Sequence, residues 1–238
     1  MAELIHTFMH KLGFIYLILV ILLFFSSMKL YAYTAEDGII DLEIWTEATD
    51  TIPALKTGEN PYLIKNEIYH RNLEDAIWII SGMIYGFDIK YTPLDLSRQV
   101  KEYLEVTPLA SIPWGDKKLE VVDTWFKNEK LSMQVRYFLD RTQITRLKLW
   151  ESNIFPDSEG TGVVSIFAGH SGKIESIKTG IKEALRNYLR LRTKNKPREI
   201  TCRVLLKEPP YTIMDAGGYK SKVKITIKFS EITPYSYY

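Results

Sequence analysis

Cysteine is almost missing from this sequence: Cys202 stands alone among 238 residues, so no disulfide can form within the chain. Stability must come from a packed core, which 46% hydrophobic content can build at this length without covalent staples. Cys202 itself alternates with Arg203 in a strand-like run and reads as a small buried apolar residue. Histidine is scarce too, with four in all, and past the first 32 positions only His70 and His170 remain. Their spacing suggests no shared face, so neither a metal site nor a cofactor is expected. A strong net charge is also lacking. The 31 basic and 29 acidic side chains give a formal +2, and without Lys11, Lys29 and Glu3 of the first 32 residues the excess is a single charge. No global field would gather nucleic acid, which is therefore not an expected partner.

What the sequence does have is one concentrated apolar run. Gly13 to Phe25 is almost unbroken hydrocarbon and aromatic, preceded by Lys11 and followed by Ser26 and Ser27. About a dozen apolar residues fall short of the roughly 20 that span a bilayer as a helix, and Leu30-Tyr31-Ala32 offers a cleavage site. Residues 1–32 are accordingly expected to be a signal peptide, with Tyr33 the first residue of an exported protein. The alternative is an uncleaved membrane anchor, since Leu30 is a poor residue for the peptidase and Lys29 can hold the segment at the interface. A lipoprotein is not expected, since no cysteine directly follows the run. The low cysteine content points to a bacterial periplasm or envelope rather than a eukaryotic extracellular space.

Along the rest of the chain, Ile39 to Trp45 alternates apolar and acidic residues at the period of a half-buried strand. Asn60-Pro61 signals a helix start, and that helix should run to about Tyr85. Its second half, from Ala76, is apolar on nearly every side and must be buried. Gly86 stops it, Phe87 to Tyr91 returns as a strand, and Pro93 leads into a polar helical or irregular segment ending near Val106. Leu119–Trp125 and Leu131–Leu139 form a hairpin, and Asp140 caps a short helix through Trp150. Pro156 to Gly172 reads as a glycine-bearing loop with a short strand at Val163–Phe167. Ile174, Ile177, Ile181, Leu185 and Leu189 then mark an amphipathic helix. Strands follow at Glu199–Leu206, Thr212–Met214 and Tyr219–Phe229, with a turn at Asp215-Ala216-Gly217-Gly218.

This order predicts an α+β fold of antiparallel sheet with helices packed on one face. The halves can be laid over each other, Asp123 on Asp215 and Leu131, Met133, Val135 on Val223, Ile225, Ile227. Two duplicated helix-plus-hairpin modules, 33–155 and 156–238, are one arrangement compatible with this, and a single compact domain is the other.

Lys194-Asn195-Lys196-Pro197-Arg198-Glu199-Ile200, Leu205-Leu206-Lys207-Glu208-Pro209-Pro210 and Asp215-Ala216-Gly217-Gly218-Tyr219 together resemble a family of uncharacterised exported proteins of spirochaetes. The resemblance covers mostly the last ~90 residues and rests on structural punctuation. It implies an envelope location and says nothing of chemistry.

Catalytic templates fail. Gly169-His170-Ser171-Gly172-Lys173 precedes a helix, but a nucleophile elbow needs glycine where Lys173 stands, and a P-loop needs glycine at Phe167 and Ser or Thr at Ile174. A helix start is the simpler account. Asp116, Asp123 and Asp215 sit beside turns, where carboxylates bond local backbone, and Trp114, Trp125 and Trp150 fit a core as well as a sugar platform. Lys178, Lys182, Arg186 and Arg190, spaced by four, are harder to set aside. Like charges at this spacing oppose one another by about 0.2–0.5 kcal/mol per pair. Part of the compensation is local, from the dipole at the helix C-terminus and from Glu183, which can reach Arg186, and a solvated face is one reading. The other is an anion or acidic surface opposite the stripe, supplied either by the acidic segment Glu36 to Asp50 or by a partner: an envelope protein, an anionic lipid headgroup or an envelope polymer. The expected function is a non-enzymatic envelope protein with a binding or scaffolding role. The alternative is a hydrolase of envelope polymer built around His170, Ser171 and a turn aspartate. Oligomeric state is not legible.

Overall fold

The structure, a computed structural model, describes residues 38–47, 61–128, 130–151, 154–190, 192–193 and 195–235. The apolar run, its cleavage site and the connector after residue 47 lie outside the described residues. The elements in order are β1 Ile39–Glu47, α1 Pro61–Ile84, β2 Phe87–Thr92, β3 Tyr103–Pro108, β4 Leu119–Lys127, β5 Lys130–Phe138 and α2 Arg141–Trp150. There follow β6 Asp157–Ser165, a short turn of 3-10 helix Ile166–Ala168, α3 Ser171–Arg190, β7 Glu199–Leu206, β8 Tyr211–Asp215 and β9 Gly218–Thr233. Strands pair antiparallel throughout, in a three-stranded sheet ordered β1-β5-β4 and a six-stranded one ordered β3-β2-β7-β9-β6, with β8 also on β9. The fold is α+β.

In the small sheet, Ile40, Leu42 and Ile44 of β1 and Met133 and Val135 of β5 are buried at alternate positions. The intervening residues meet on the other face, where Arg136 stands opposite Asp41 and donates to both carboxylate oxygens at 2.7 and 3.1 Å. The apolar second half of α1 has its explanation in position: the helix touches β1 and β5 of the small sheet and β7 of the large one. Ala76, Ile77, Ile79, Ile80, Met83 and Ile84 are consequently all buried. Gly86 ends the helix at φ +82°, a conformation that favours glycine.

The long strand β9 holds the large sheet together. β6 lies along one edge of it, while β8 and then β7 occupy the other, opposite residues 218–222 and 225–233 respectively. At the β8–β9 turn Ala216 and Gly217 both have positive φ, 48° and 76°, the mark of a type I′ hairpin. The capping expectation for α2 also holds: Asp140 accepts from the Gln143 backbone at 2.9 Å, and the Gln143 side chain accepts from the Asp140 backbone at 2.9 Å.

Two segments differ from their sequence reading. After Pro93 the irregular alternative holds, as a tight turn closed by an Asp95–Val100 bridge, but the segment then ends in β3, an exposed edge strand whose outward residues gave no periodic signal. Pro156–Gly172 is not mainly loop, because β6 fills Asp157–Ser165. Its glycines serve contact rather than turning. A Cβ on Gly162 would lie 2.0 Å from the Ser176 carbonyl oxygen, and one on Gly160 would lie 2.3 Å from the Gly180 oxygen and the Ala184 nitrogen. Strand and helix backbones touch there, and α3 lies on β6 and β9 through Ile177, Ile181, Ala184 and Leu185. The sheets also cut across the two sequence halves, since β2 of the first half pairs with β7 of the second. Thr34–Tyr238 forms one compact unit.

Candidate functional site

The Gly169–Lys173 segment leads into α3 and is pressed against β1 and α1. Lys173 is only 4% exposed, and its ammonium is enclosed by neighbouring oxygens. It donates to the Trp45 carbonyl and, at 2.9 Å, to the Thr46 hydroxyl, and it lies 3.1 Å from Asp75 Oδ2. Thr46 in turn donates to Asn72 at 2.8 Å, and Asn72 to the Leu131 carbonyl at 2.9 Å. His170 Nε2 stands 3.5 Å from the other Asp75 oxygen, while its Nδ1 is buried without a hydrogen-bond partner. Burial pushes the Asp75 carboxyl above its ordinary range despite the pull of Lys173 and His170. Burial likewise pushes His170 down, against the pull of Asp75. Ser171 takes no part: its hydroxyl donates to the Ala168 carbonyl at 3.1 Å. A histidine–aspartate contact therefore exists, but the serine points elsewhere, and the three cavities discussed below include none of these side chains in their walls.

The basic stripe follows α3, and three of its four charges are met from within the chain. Lys178 pairs with Glu175 at 2.7 Å, Lys182 with Glu102 at 2.8 Å and Arg186 with Glu183 at 2.9 Å. Glu102, just before β3, also accepts from the Tyr91 hydroxyl at 2.9 Å. Burial would raise the Glu102 carboxyl, but the bonds from Lys182 and Tyr91 outweigh it and hold the group below its ordinary value. Arg190, exposed at the end of α3, lines with Arg186 and Lys196 a cavity of about 430 Å³ that also holds Glu102 and Glu183. A second cavity of about 410 Å³ lies beside it around Arg98 and Tyr235. Of the described acids of the N-terminal segment, Asp41 faces Arg136, Glu47 accepts from the Tyr219 hydroxyl at 3.3 Å, and Glu43 is exposed on β1. Glu36, Asp37 and Asp50 lie outside the described residues.

The remaining sequence candidates are local. Asp116 accepts from the Lys118 backbone and the Tyr137 hydroxyl, Asp123 accepts from the Thr124 backbone, and Asp215 pairs with Lys220. Trp114 stacks on His70 with centroids 5.3 Å apart, and Trp125 is half-buried in the edge strand β4. Cys202 is buried, and desolvation lifts its thiol to about 12. Among the described residues, no group of three or more His, Cys, Asp or Glu is placed to hold a metal ion.

A different region stands out electrostatically. Between α2 and the outward residues of β7 and β9 opens a groove of about 880 Å³. Five cations line it: Arg141, Arg146 and Lys148 from α2, Arg203 from β7 and Lys228 from β9. No Asp or Glu occurs among the described residues of its wall. Arg203 has an acidic neighbour just outside, Asp88 at 3.0 Å. Elsewhere cations meet carboxylates directly, as in Lys118–Asp140 at 2.7 Å and Lys222–Glu159 at 3.2 Å. The rest of the groove is largely apolar. Trp150 and Phe155 pack with centroids 5.4 Å apart, Lys228 lies 5.6 Å above Phe155, and Arg146 lies 5.6 Å above Tyr85. Of the residues singled out from sequence, only Trp150 belongs to it. The cations come from three elements far apart in the chain, so no spacing rule could gather them.

With this geometry in hand, comparison with known proteins places the fold in context. The model of one protein family matches residues 27–235. An uncharacterised protein of Treponema pallidum (strain Nichols) is 25% identical over 165 residues, which is 69% of each chain. No solved structure matches. The family match thus spans most of the chain, and similarity to a spirochaete protein covers 69% of it.

Proposed function

We propose that this chain, which belongs to a spirochaete protein family, is an exported, non-catalytic binding protein of the cell envelope whose ligand is anionic. The observation that carries this is the groove beneath α2, where five cations face one space with no carboxylate among the described residues of the wall. Arg203 is paired with Asp88 just outside the wall, but the other four cations have no carboxylate partner among the described residues; held together they repel one another, and a bound anion relieves that repulsion. Export is supported by the sequence alone, in which the apolar run ends at Phe25 and Leu30-Tyr31-Ala32 follows as a cleavage site. Among the described residues no helix is long and apolar enough to cross a membrane.

The hydrolase alternative draws on one contact, His170 with Asp75. Lys173 shares that aspartate and Ser171 is turned away, so the groups act as a brace between elements.

The test combines two measurements on protein recovered from its own cells. N-terminal sequencing is expected to begin at Tyr33; an intact hydrophobic segment would instead make it a membrane-anchored protein. Co-sedimentation with isolated envelopes is expected to weaken as salt is raised, because exposed charge pairs are screened within about 10 Å at 0.1 M. Recovery in the cytoplasmic fraction, or envelope binding that ignores salt, would overturn the proposal.

A further inference from the structure

The groove is not simply basic, and its apolar half narrows the chemistry of what it takes. At its rim Leu149 is 67% and Ile154 82% exposed. Single exposed apolar side chains are ordinary on a protein surface. Leu96 and Phe167 are as exposed, yet they line none of the three cavities. Leu149 and Ile154 differ because they share one cavity with each other, with the Trp150–Phe155 pair and with five cations.

A small hydrophilic anion would satisfy Arg141, Arg146 and Lys148 but leave Leu149 and Ile154 in water. A neutral lipid would cover the apolar rim but leave the cations unpaired. A molecule that carries both an anionic head and a hydrocarbon part answers both halves. The volume of about 880 Å³ lies in the range that encloses much of a ligand of several hundred daltons. Guanidinium groups suit the head: two arginines on one short helix offer forked donors that match phosphate oxygens, and Lys148 adds a point charge. The arrangement of exposed hydrocarbon beside clustered Lys and Arg is also the one by which a protein rests on an anionic lipid surface.

We infer that the groove between α2 and β7–β9 binds the phosphate headgroup of an anionic phospholipid, with lipid hydrocarbon against Ile154, Leu149, Trp150 and Phe155. This rests on the proposed anion-binding role and specifies its ligand. Arg146 and Lys148 are the principal headgroup contacts, since neither has a carboxylate partner among the described residues. The basic stripe of α3 is secondary, because Lys178, Lys182 and Arg186 are already paired within the chain.

The experiment uses the processed protein and three probes: vesicles of phosphatidylcholine, the same vesicles with phosphatidylglycerol added, and inorganic pyrophosphate as a headgroup-like anion without a tail. Binding is expected to the phosphatidylglycerol vesicles and not to pure phosphatidylcholine. Arg146→Gln combined with Lys148→Gln should weaken vesicle binding by roughly twenty-five-fold, at roughly fivefold for each cation near an anionic surface. Ile154→Ser should weaken vesicle binding while leaving pyrophosphate binding unchanged. Lys178→Gln with Arg190→Gln should leave vesicle binding near wild type. All these side chains are exposed or partly so, and melting curves confirm that the variants fold. Binding of pyrophosphate without any preference for phosphatidylglycerol vesicles overturns the lipid inference but keeps the anion-binding role. Binding of neither probe overturns both. Loss of vesicle binding in the α3 variant but not in the α2 variant moves the site to the stripe and overturns the groove.

Discussion

His170 shows how a single ring can be held neutral by its surroundings. Protonated imidazole carries two N–H donors; Nε2 has Asp75 at 3.5 Å, but Nδ1 is buried with no acceptor. Desolvation and the nearby charges of Lys173 and Arg71 therefore outweigh the attraction of Asp75 and Glu74 and lower the group from its usual 6.5. The unfolded chain binds this proton more readily than the folded one. A depressed histidine contributes stability that is present above the unfolded value and is lost as pH falls through the folded one. Urea midpoints measured downward from pH 7 should accordingly decline through the region below 6.5, and His170→Gln should flatten that part of the profile. A profile in the variant as steep as in wild type would show that His170 does not carry the effect. Asp75 has the opposite sign. Its carboxyl is raised, so its protonation in the folded state works against the loss at more acidic pH.

Among the elements, β6 is where sequence reading and structure part most clearly. Gly160 and Gly162 look like loop punctuation in a sequence, and their true reason appears only when α3 is laid across them with backbone atoms closer than any side chain allows. Gly162→Ala should push the strand from the Ser176 carbonyl and destabilise the protein by about 1–3 kcal/mol, the usual range for overpacking. Gly115→Ala is the control for spacing, because nothing lies within 4 Å of a Cβ there, although its φ of +78° adds backbone strain of its own. An equal denaturant midpoint for Gly162→Ala and wild type would show that α3 can move away freely. Elements with a strong period were legible from sequence: β1, both halves of α1, the β4–β5 hairpin, the Asp140 cap and the turn at Ala216-Gly217 all express local rules. What was hidden was hidden by tertiary proximity. The stripe on α3 was visible as a spacing, whereas Glu102, which neutralises Lys182, comes from a segment 80 residues away. The groove was invisible for the same reason, since Arg146 and Lys228 share it only after folding. Lys173 did leave a trace: it stands four residues before Ile177 and eight before Ile181, a cation on the apolar face of its helix.

At the scale of the whole molecule, Lys173 matters because of what it joins. The small sheet and α3 belong to different layers, and apolar packing between layers tolerates sliding more readily than a set of directed bonds does. Lys173 from α3, Thr46 from β1, Asn72 and Asp75 from α1 and the Leu131 carbonyl from β5 form one connected polar network across that junction. A buried ion pair adds little over an apolar pair of equal shape, but removing one partner leaves a stranded charge and costs about 3–5 kcal/mol. Lys173→Met should thus cost that much at neutral pH. The loss should shrink on acidification, because without Lys173 the raised Asp75 carboxyl protonates still more readily, and a raised carboxyl gives stability that is complete below its unfolded value and disappears as pH climbs through its folded one. Asp75→Asn combined with Lys173→Met removes both charges and should be more stable than Lys173→Met alone. Denaturant midpoints of the two single variants, the double variant and wild type at neutral and acid pH measure this coupling directly. A double variant whose loss equals the sum of the single losses would show that the two charges do not interact, and the coupling argued for the junction would fall.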